Sequence, residues 1–557
     1  MAFQISPGIN VSEIDLTTVI PSVATSIGAF AGPFAWGPAN EVVTISDEVR
    51  LVESFGKPNS TNYEYWFSAA NFLAYSNNLK VVRAISAASS LNATANAVGV
   101  LIENDDDYED NHSSGAITYL EFAARFPGAL GNSLRVEMAD ANTYTGWAYA
   151  NSFTDAPATS SYAAAQGALR DELHVIVIDE DGVITGTANT ILEKYPFVSK
   201  ANDAKAPDGS TNYYKDAINN RSKWIRWMAH PAIGTNWGNS ASGTTYVNTA
   251  VVIARSLSAG ADGTVSTSNV TTAYSKVANP DSIDISLIVS GPSNGTVAGH
   301  LISNIAEVRK DCVVFLSPEK SDVVDNSGAE ATDILAYRNT ITSSSYAVMD
   351  SGWKYQYDKY NDVYRWVPLN GDIAGLCART DLERDPWFSP GGLNRGIVKN
   401  VIKLAYNPSK TDRDSLYLKG VNPVVNFQGE GTVLFGDKTL LSRPSTFDRI
   451  NVRRLFITLE KTISRAARSS LFEFNDQFTR AQFIALVEPY LRDVQGRRGI
   501  TDFRVVCDES NNTAEIIDRN EFVGDIYIKP ARSINFIQLN FVAVRTGVSF
   551  DEIVGSF

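Results

Sequence analysis

Two apolar patterns of the same kind, far apart in the chain, restrict its architecture most. ATSIGAFAG (24–32) and LKVVRAI (79–85) are short strand-like runs, and YEYWFSAANFLAY (63–75) between them has helical apolar spacing. The pattern returns at DISLIVSG (284–291) and DCVVFLSP (311–318), with residues 297–310 predicted as a helix between them. A helix joining two apolar strands is the crossover unit of a parallel sheet. If LKVVRAI joins that sheet, one middle α/β domain is assembled from 23–95 plus 281–425, and everything between is an insertion.

Residues 96–280 have a different character. They are rich in Ser, Thr, Asn, Ala and Gly, with strand candidates at 116–126, 134–139 and 173–179. Residues 100–200 hold sixteen acidic against five basic side chains, so most of the formal net charge of −14 lies there. This reads as an exposed insertion of one or two small β-rich domains. The acidic run ENDDDYED (103–110) lacks the glycine and glutamate spacing of a calcium loop and reads as a solvated surface.

The C-terminal part, 426–557, reads as α+β. Amphipathic helices are predicted at 452–470 and 476–494, then strands at 503–508, 522–529 and 534–545. Val452, Leu455, Leu459, Ile463 and Ala466 share one helical face. The chain ends are both strand-like. Ile9 and Val11 alternate with polar residues in the arm at 3–15, and Ile537, Leu539 and Phe541 do so near the other end. A terminal strand exposes a row of donors and acceptors that must pair, so strand exchange between copies is the expectation, against the alternative of disordered tails.

The chemistry-bearing residues are sparse. Cys312, Cys377 and Cys507 have no CxxC spacing, which fits a reduced compartment without a disulfide framework. His112, His174, His230 and His300 are scattered, with no metal-ligand spacing. The glycine-rich runs at 389–396 and 429–436 match neither phosphate-loop pattern. No cofactor, metal site or catalytic residue is expected. The acidic balance argues against nucleic acid, the breaks at Pro21, Gly28, Gly32 and Pro33 against a membrane span, and MAFQISPGIN against a secretory signal.

One surface pattern stands out. Arg454, Lys461, Arg465 and Arg468 fall at offsets of seven, four and three, on one helical stripe expected opposite the apolar face. It is either a solvated helix face or a docking surface for an acidic partner.

Several stretches resemble contractile tail sheath proteins, in the family's own order. They include SPGINVSEID (6–15), ATSIGAFAGPFAWGPANEVVTI (24–45), ARFPGALGNSLRVEM (124–138), VPLNGDIAGLCARTDLERDPWFSPGGLNRG (367–396), LYLKGVNPVVNFQGEGTVLFGDKTL (416–440) and INVRRLFITLEKTI (450–463). The likeness is strongest to the sheaths of T-even-type contractile phages, and weakest between about 140 and 280.

The resemblance implies a non-enzymatic mechanical subunit. Its fold would be multidomain α/β and α+β: an inner, tube-facing domain from 426–557 with the 1–22 arm, a middle domain, and a β-rich outer insertion. Copies would polymerise as helical hexameric rings around a tail tube, between baseplate and tail terminator proteins. They would contract from a metastable extended state, without nucleic-acid binding or membrane insertion. Strand exchange would fall on Ile5, Ile9, Val11, Ile14, Ile537, Leu539, Phe541, Val542 and Val544, with hinges at Pro21 and Pro530. The basic stripe becomes a tube-docking candidate. The expected location is the virion, after assembly in the host cytoplasm. The alternatives are a phage-derived bacteriocin or injection-particle sheath and, more distantly, a hydrolase or a surface adhesin. A Ser–His pair brought together by the fold would favour the hydrolase.

Overall fold

The computed structural model describes residues 24–231, 236–535 and 538. They form two compact units that divide between Arg465 and Ala466.

The first unit is organised by a seven-stranded sheet. Its order is Val421–Asn422, Ala347–Asp350, Val313–Leu316, Leu287–Val289, Gly28–Gly32, Leu79–Arg83 and Val42–Ile45. Neighbours are parallel except the last pair. Gly28 stands opposite Leu287, so the two separated sequence halves meet at the centre of one sheet. Helices cover both faces. Thr267–Ser275 and the helical run from Gly295 to Arg309 pack with Ala29, Ala31, Ile288 and Val314. Tyr63–Leu73 and Asn370–Glu383 pack with Phe30, Val81, Leu287 and Phe315 on the other side. Strands buried on both faces need unbroken apolar runs, and each large side chain so buried contributes about 1.5–3 kcal/mol.

The two helices of the second face cross with their backbones almost touching. A Cβ on Gly371 would lie 2.3 Å from Ser68 O, and one on Gly375 2.4 Å from the Tyr75 ring. Only glycine permits that approach.

Between Leu79–Arg83 and Thr267–Ser275 the chain builds an antiparallel body. Its main sheet runs Thr190–Ser199, Glu172–Asp179, Leu134–Asp140, Ile253–Ser256, and Phe122–Ala124 pairs with Ile225–Trp227. The body leaves and re-enters through one neck: Leu91 and Ala261 exchange two hydrogen bonds of 2.9 Å, and Thr94 and Ser258 exchange two more. Arg83 ties the neck to the sheet. It is fully buried and donates to Phe34 O, Gly37 O and Pro127 O.

Several sequence expectations need correction. The insertion ends before 280, because Thr267–Ser275 buries Val270, Ala273 and Tyr274 in the seven-stranded core and Tyr274 Oη donates to Val289 O at 2.6 Å. The first unit extends well past 426, because the hairpin Val424–Phe427/Gly431–Leu434 and Ile450 and Ile457 join the same core. The strand expected at 116–126 shortens to Phe122–Ala124, preceded by a tight turn at Ile117–Tyr119.

The second unit holds helix Gln477–Gly496 and the antiparallel hairpin Ile500–Val506/Asp525–Pro530. Asp476 caps the helix, its carboxylate accepting from Thr479 N at 2.8 Å. Phe483, Val487, Leu491 and Val494 form the helix's buried face, with Ile500 buried at the start of the hairpin.

Candidate functional site

Helix Ile450–Ala467 carries the predicted basic stripe, and its first half is buried on almost every side. That overturns the expectation that Arg454 and Lys461 lie opposite the apolar face on an open surface. Arg454 is 4% exposed and donates to Asp381 Oδ2 at 2.6 Å, to Cys377 O at 3.3 Å and to Thr25 O at 3.4 Å. Burial pulls its pKa down, but the Asp381 carboxylate outweighs it and holds the guanidinium above its ordinary value. Further along the helix, Lys461 Nζ donates to Asp284 Oδ1 at 2.6 Å, Ile285 O at 2.8 Å and Ser286 Oγ at 3.0 Å. Arg465 is more open, its side chain 44% exposed and 3.4 Å from Asp284 Oδ2. Arg468 is exposed. The helical spacing was legible; the carboxylates at 284 and 381, which draw two of the four cations inward, come from distant segments that no local pattern links to the helix.

The hairpin of the second unit is a two-stranded sheet, and among the described residues neither strand has a second partner. Its helix stabilises one face, but two strands alone are marginal, and a strand edge without a neighbouring strand is a place where another strand can add. Pro530, expected at a hinge, is the last paired residue of the ladder, opposite Ile500, and Ala531 N still donates to Gly499 O at 3.1 Å. Pro21 and the exchange candidates Ile5, Ile9, Val11, Ile14, Ile537, Leu539, Phe541, Val542 and Val544 lie outside the described residues.

The sequence reading missed one surface. Leu471, Phe472, Phe474 and Phe478 are all exposed, Phe472 and Phe474 almost completely. Large apolar groups clustered in the open mark interaction surfaces. The signal was present: four apolar residues within eight positions, following the amphipathic stretch and sharing no periodicity with it.

The fold does bring one Ser–His pair together. Ser275 Oγ lies 3.1 Å from His300 Nε2, and His300 Nδ1 lies 3.1 Å from Asn304 Nδ2. The hydrogen bonds run the wrong way for a nucleophile. Ser275 Oγ donates to Thr271 O, and Nδ1 faces an amide donor, which leaves the ring proton on Nε2 rather than a free base beside the hydroxyl. Burial pushes the thiols of Cys312 and Cys377 up to about 12, far from a reactive thiolate. His230 is held between the Tyr213 and Tyr214 hydroxyls, and burial pulls it down to about 4. Among the described residues no group of His, Cys, Asp or Glu is arranged to hold a metal.

The described residues thus comprise an interrupted α/β domain and a second unit whose sheet has two strands. The chain belongs to the phage tail sheath protein family. Residues 263–440 match the phage tail sheath protein central domain, 442–543 the phage tail sheath C-terminal domain, and 25–84 the Tail sheath protein Gp18 domain III N-terminal region. The tail sheath protein of Vibrio phage KVP40 is 34% identical across 99% of this chain and 100% of its own length. That of Enterobacteria phage T4 is 33% identical across 99% of each. The fold is shared with the sheath tail protein of Listeria innocua (TM-score 0.56, 11% identity, 92% of this chain and 94% of that one). It is also shared with the contracted helical sheath of the anti-feeding prophage (TM-score 0.51, 13% identity, 97% and 99%).

Proposed function

We infer that this chain is the structural subunit of a contractile tail sheath. The observation that carries the reading is full-length kinship with tail sheath proteins, at 33–34% identity over 99% of the chain. The role is mechanical: the subunits polymerise as helical hexameric rings around a tail tube, and contraction from a metastable extended state drives the tube through the host envelope. An open helical polymer follows when a head-to-tail interface does not close on itself.

Strand exchange is the proposed link. The terminal arms of neighbouring copies, carrying the alternation at Ile9 and Val11 and at Ile537, Leu539 and Phe541, add to the open edges of Ile500–Val506 and Asp525–Pro530. Added strands gain main-chain hydrogen bonds with little dependence on side chains. Subunits can then rotate as rigid bodies while their links persist. The exposed Leu471, Phe472, Phe474 and Phe478 supply apolar area for the same assembly. Tube docking narrows to the more exposed Arg465 and Arg468, since Arg454 and Lys461 are turned inward. Tube, baseplate and terminator proteins are the proposed partners, and the virion is the proposed site of action after assembly in the host cytoplasm.

Electron microscopy tests the reading. The purified protein is expected to form striated cylinders, and a variant lacking residues 1–20 to stay folded and form none of normal length. Normal cylinders from that variant would remove the arm from the mechanism.

A further inference from the structure

The inward-turned cations of helix Ile450–Ala467 grip one particular piece of chain. Thr25 Oγ1 donates to Asp381 Oδ2 at 2.7 Å, the same oxygen that Arg454 Nη2 reaches at 2.6 Å, and Arg454 also donates to Thr25 O. Next to it, Ser286 Oγ donates to Ala24 O at 3.2 Å, and Lys461 Nζ is 3.0 Å from that same Ser286 Oγ. Ser286 N donates to Ile27 O at 2.9 Å, and Lys461 is paired with Asp284. The segment 24–27 is the root from which the chain enters the central strand Gly28–Gly32. Helix Ile450–Ala467 is the element whose last residues cross into the second unit. Two cations seven residues apart on that helix therefore hold the start of the central strand, through Asp381 on one side and through Asp284 and Ser286 on the other.

We propose that Arg454–Asp381–Thr25 and Lys461–Asp284/Ser286 form a clamp that fixes the root of the N-terminal arm against the helix leading to the C-terminal unit. The start of the central strand and the helix that continues beyond Arg465 are thus held to one another, and these four charged side chains are positioning residues for assembly. The mechanical half of this rests on the sheath reading; the clamp itself does not.

The physical case is one of cost. Arg454 and Asp381 are both nearly solvent-free, 4% and 6% exposed at the side chain. A buried pair of this kind is weak evidence for stability, since an apolar pair of similar volume often does as well. Its geometric content is what an apolar pair would lose: a planar donor reaching a carboxylate and two separate backbone carbonyls at once. Lys461 likewise satisfies three acceptors on one short segment, 284–286.

Hydrogen exchange on the isolated full-length subunit reads the clamp directly. The double variant R454M/D381L removes both charges together, so neither is left stranded, and K461M is a milder second probe at a half-open pair. Peptides covering 24–28 and 284–287 are expected to exchange about tenfold faster or more in both variants, with the sheet strand Val313–Leu316 as the unchanged internal control and R454K, which keeps the charge but not the planar fork, retaining only part of the protection. Unchanged exchange in both variants would overturn the clamp. The same proteins are then examined by electron microscopy: cylinders are expected to be short or to stop part-way through contraction. Variants with loosened roots that still assemble and contract as the wild type does would overturn the positioning role. Wild-type protein that never forms cylinders would instead strike at the sheath reading, with the exchange result still deciding the clamp.

Discussion

Lys354 Nζ donates to Asp372 Oδ1 at 2.9 Å and lies 2.8 Å from Oδ2, and neither side chain reaches solvent. Tyr75 Oη donates to the same Asp372 Oδ1 at 3.0 Å. Burial pulls the lysine pKa down and pushes the aspartate up, each opposed by the other's charge. Asp372→Leu alone would strand a buried ammonium and is expected to cost about 3–5 kcal/mol. The double variant Lys354→Met/Asp372→Leu should recover most of that loss. Urea unfolding of the three proteins measures the difference.

Asp350 gives a pH dependence with a definite sign. Burial pushes its carboxyl up to about 8, against the opposing hydrogen bonds from Gly352 N and Ser317 Oγ. In an unfolded chain the group titrates near 4. Between about pH 4 and 8 the folded state therefore binds more protons, so this contribution is complete below about pH 4 and is lost as pH rises through 8. Melting temperature should fall between about pH 4 and 8 and level off above that, and Asp350→Asn should flatten that fall.

Gly371→Ala sets two effects of opposite sign against each other. Alanine in a helix interior gains about 1 kcal/mol over glycine. The new Cβ would meet Ser68 O, a backbone atom, at 2.3 Å, and overpacking of this kind costs about 1–3 kcal/mol or more. The clash should win, lowering the melting temperature by several degrees.

The exposed aromatic residues separate folding from assembly. Phe472→Ser combined with Phe474→Ser should shift subunit stability by no more than about 0.5 kcal/mol, since both side chains are already in water. Cylinder formation, read by sedimentation, should drop sharply. Arg465→Glu with Arg468→Glu should likewise leave folding within about 1 kcal/mol of wild type. Co-assembly on the tube should weaken, and the wild type should lose the same advantage at raised salt.

Four of the seven sheet strands were legible because burial on both faces demands continuous apolar runs, as in Leu287–Val289 and Val313–Leu316; Val42–Ile45, Ala347–Asp350 and Val421–Asn422 were not. Helix Asn370–Glu383 was not, because it too is buried almost all round and its glycines, placed for a close crossing, break any amphipathic pattern. Helix Thr267–Ser275 was hidden by a Ser/Thr-rich composition that reads as loop, although its capping box, Ser266 with Asn269, was there to be found. The basic stripe had the right helix and the wrong surroundings. Spacing tells which residues share a face, but what lies opposite that face depends on residues such as Asp381 and Asp284, which only the fold brings near.

The paired crossings at Leu91–Ala261 and Thr94–Ser258 have an evolutionary consequence. A body attached by adjacent ends can be lengthened, trimmed or exchanged wholesale without disturbing the geometry of its host. The antiparallel lobe is thus a cassette position, where the chain can vary a whole folded body while the seven-stranded core that carries it stays the same. It is also where a foreign domain with adjacent ends could be grafted without breaking the core.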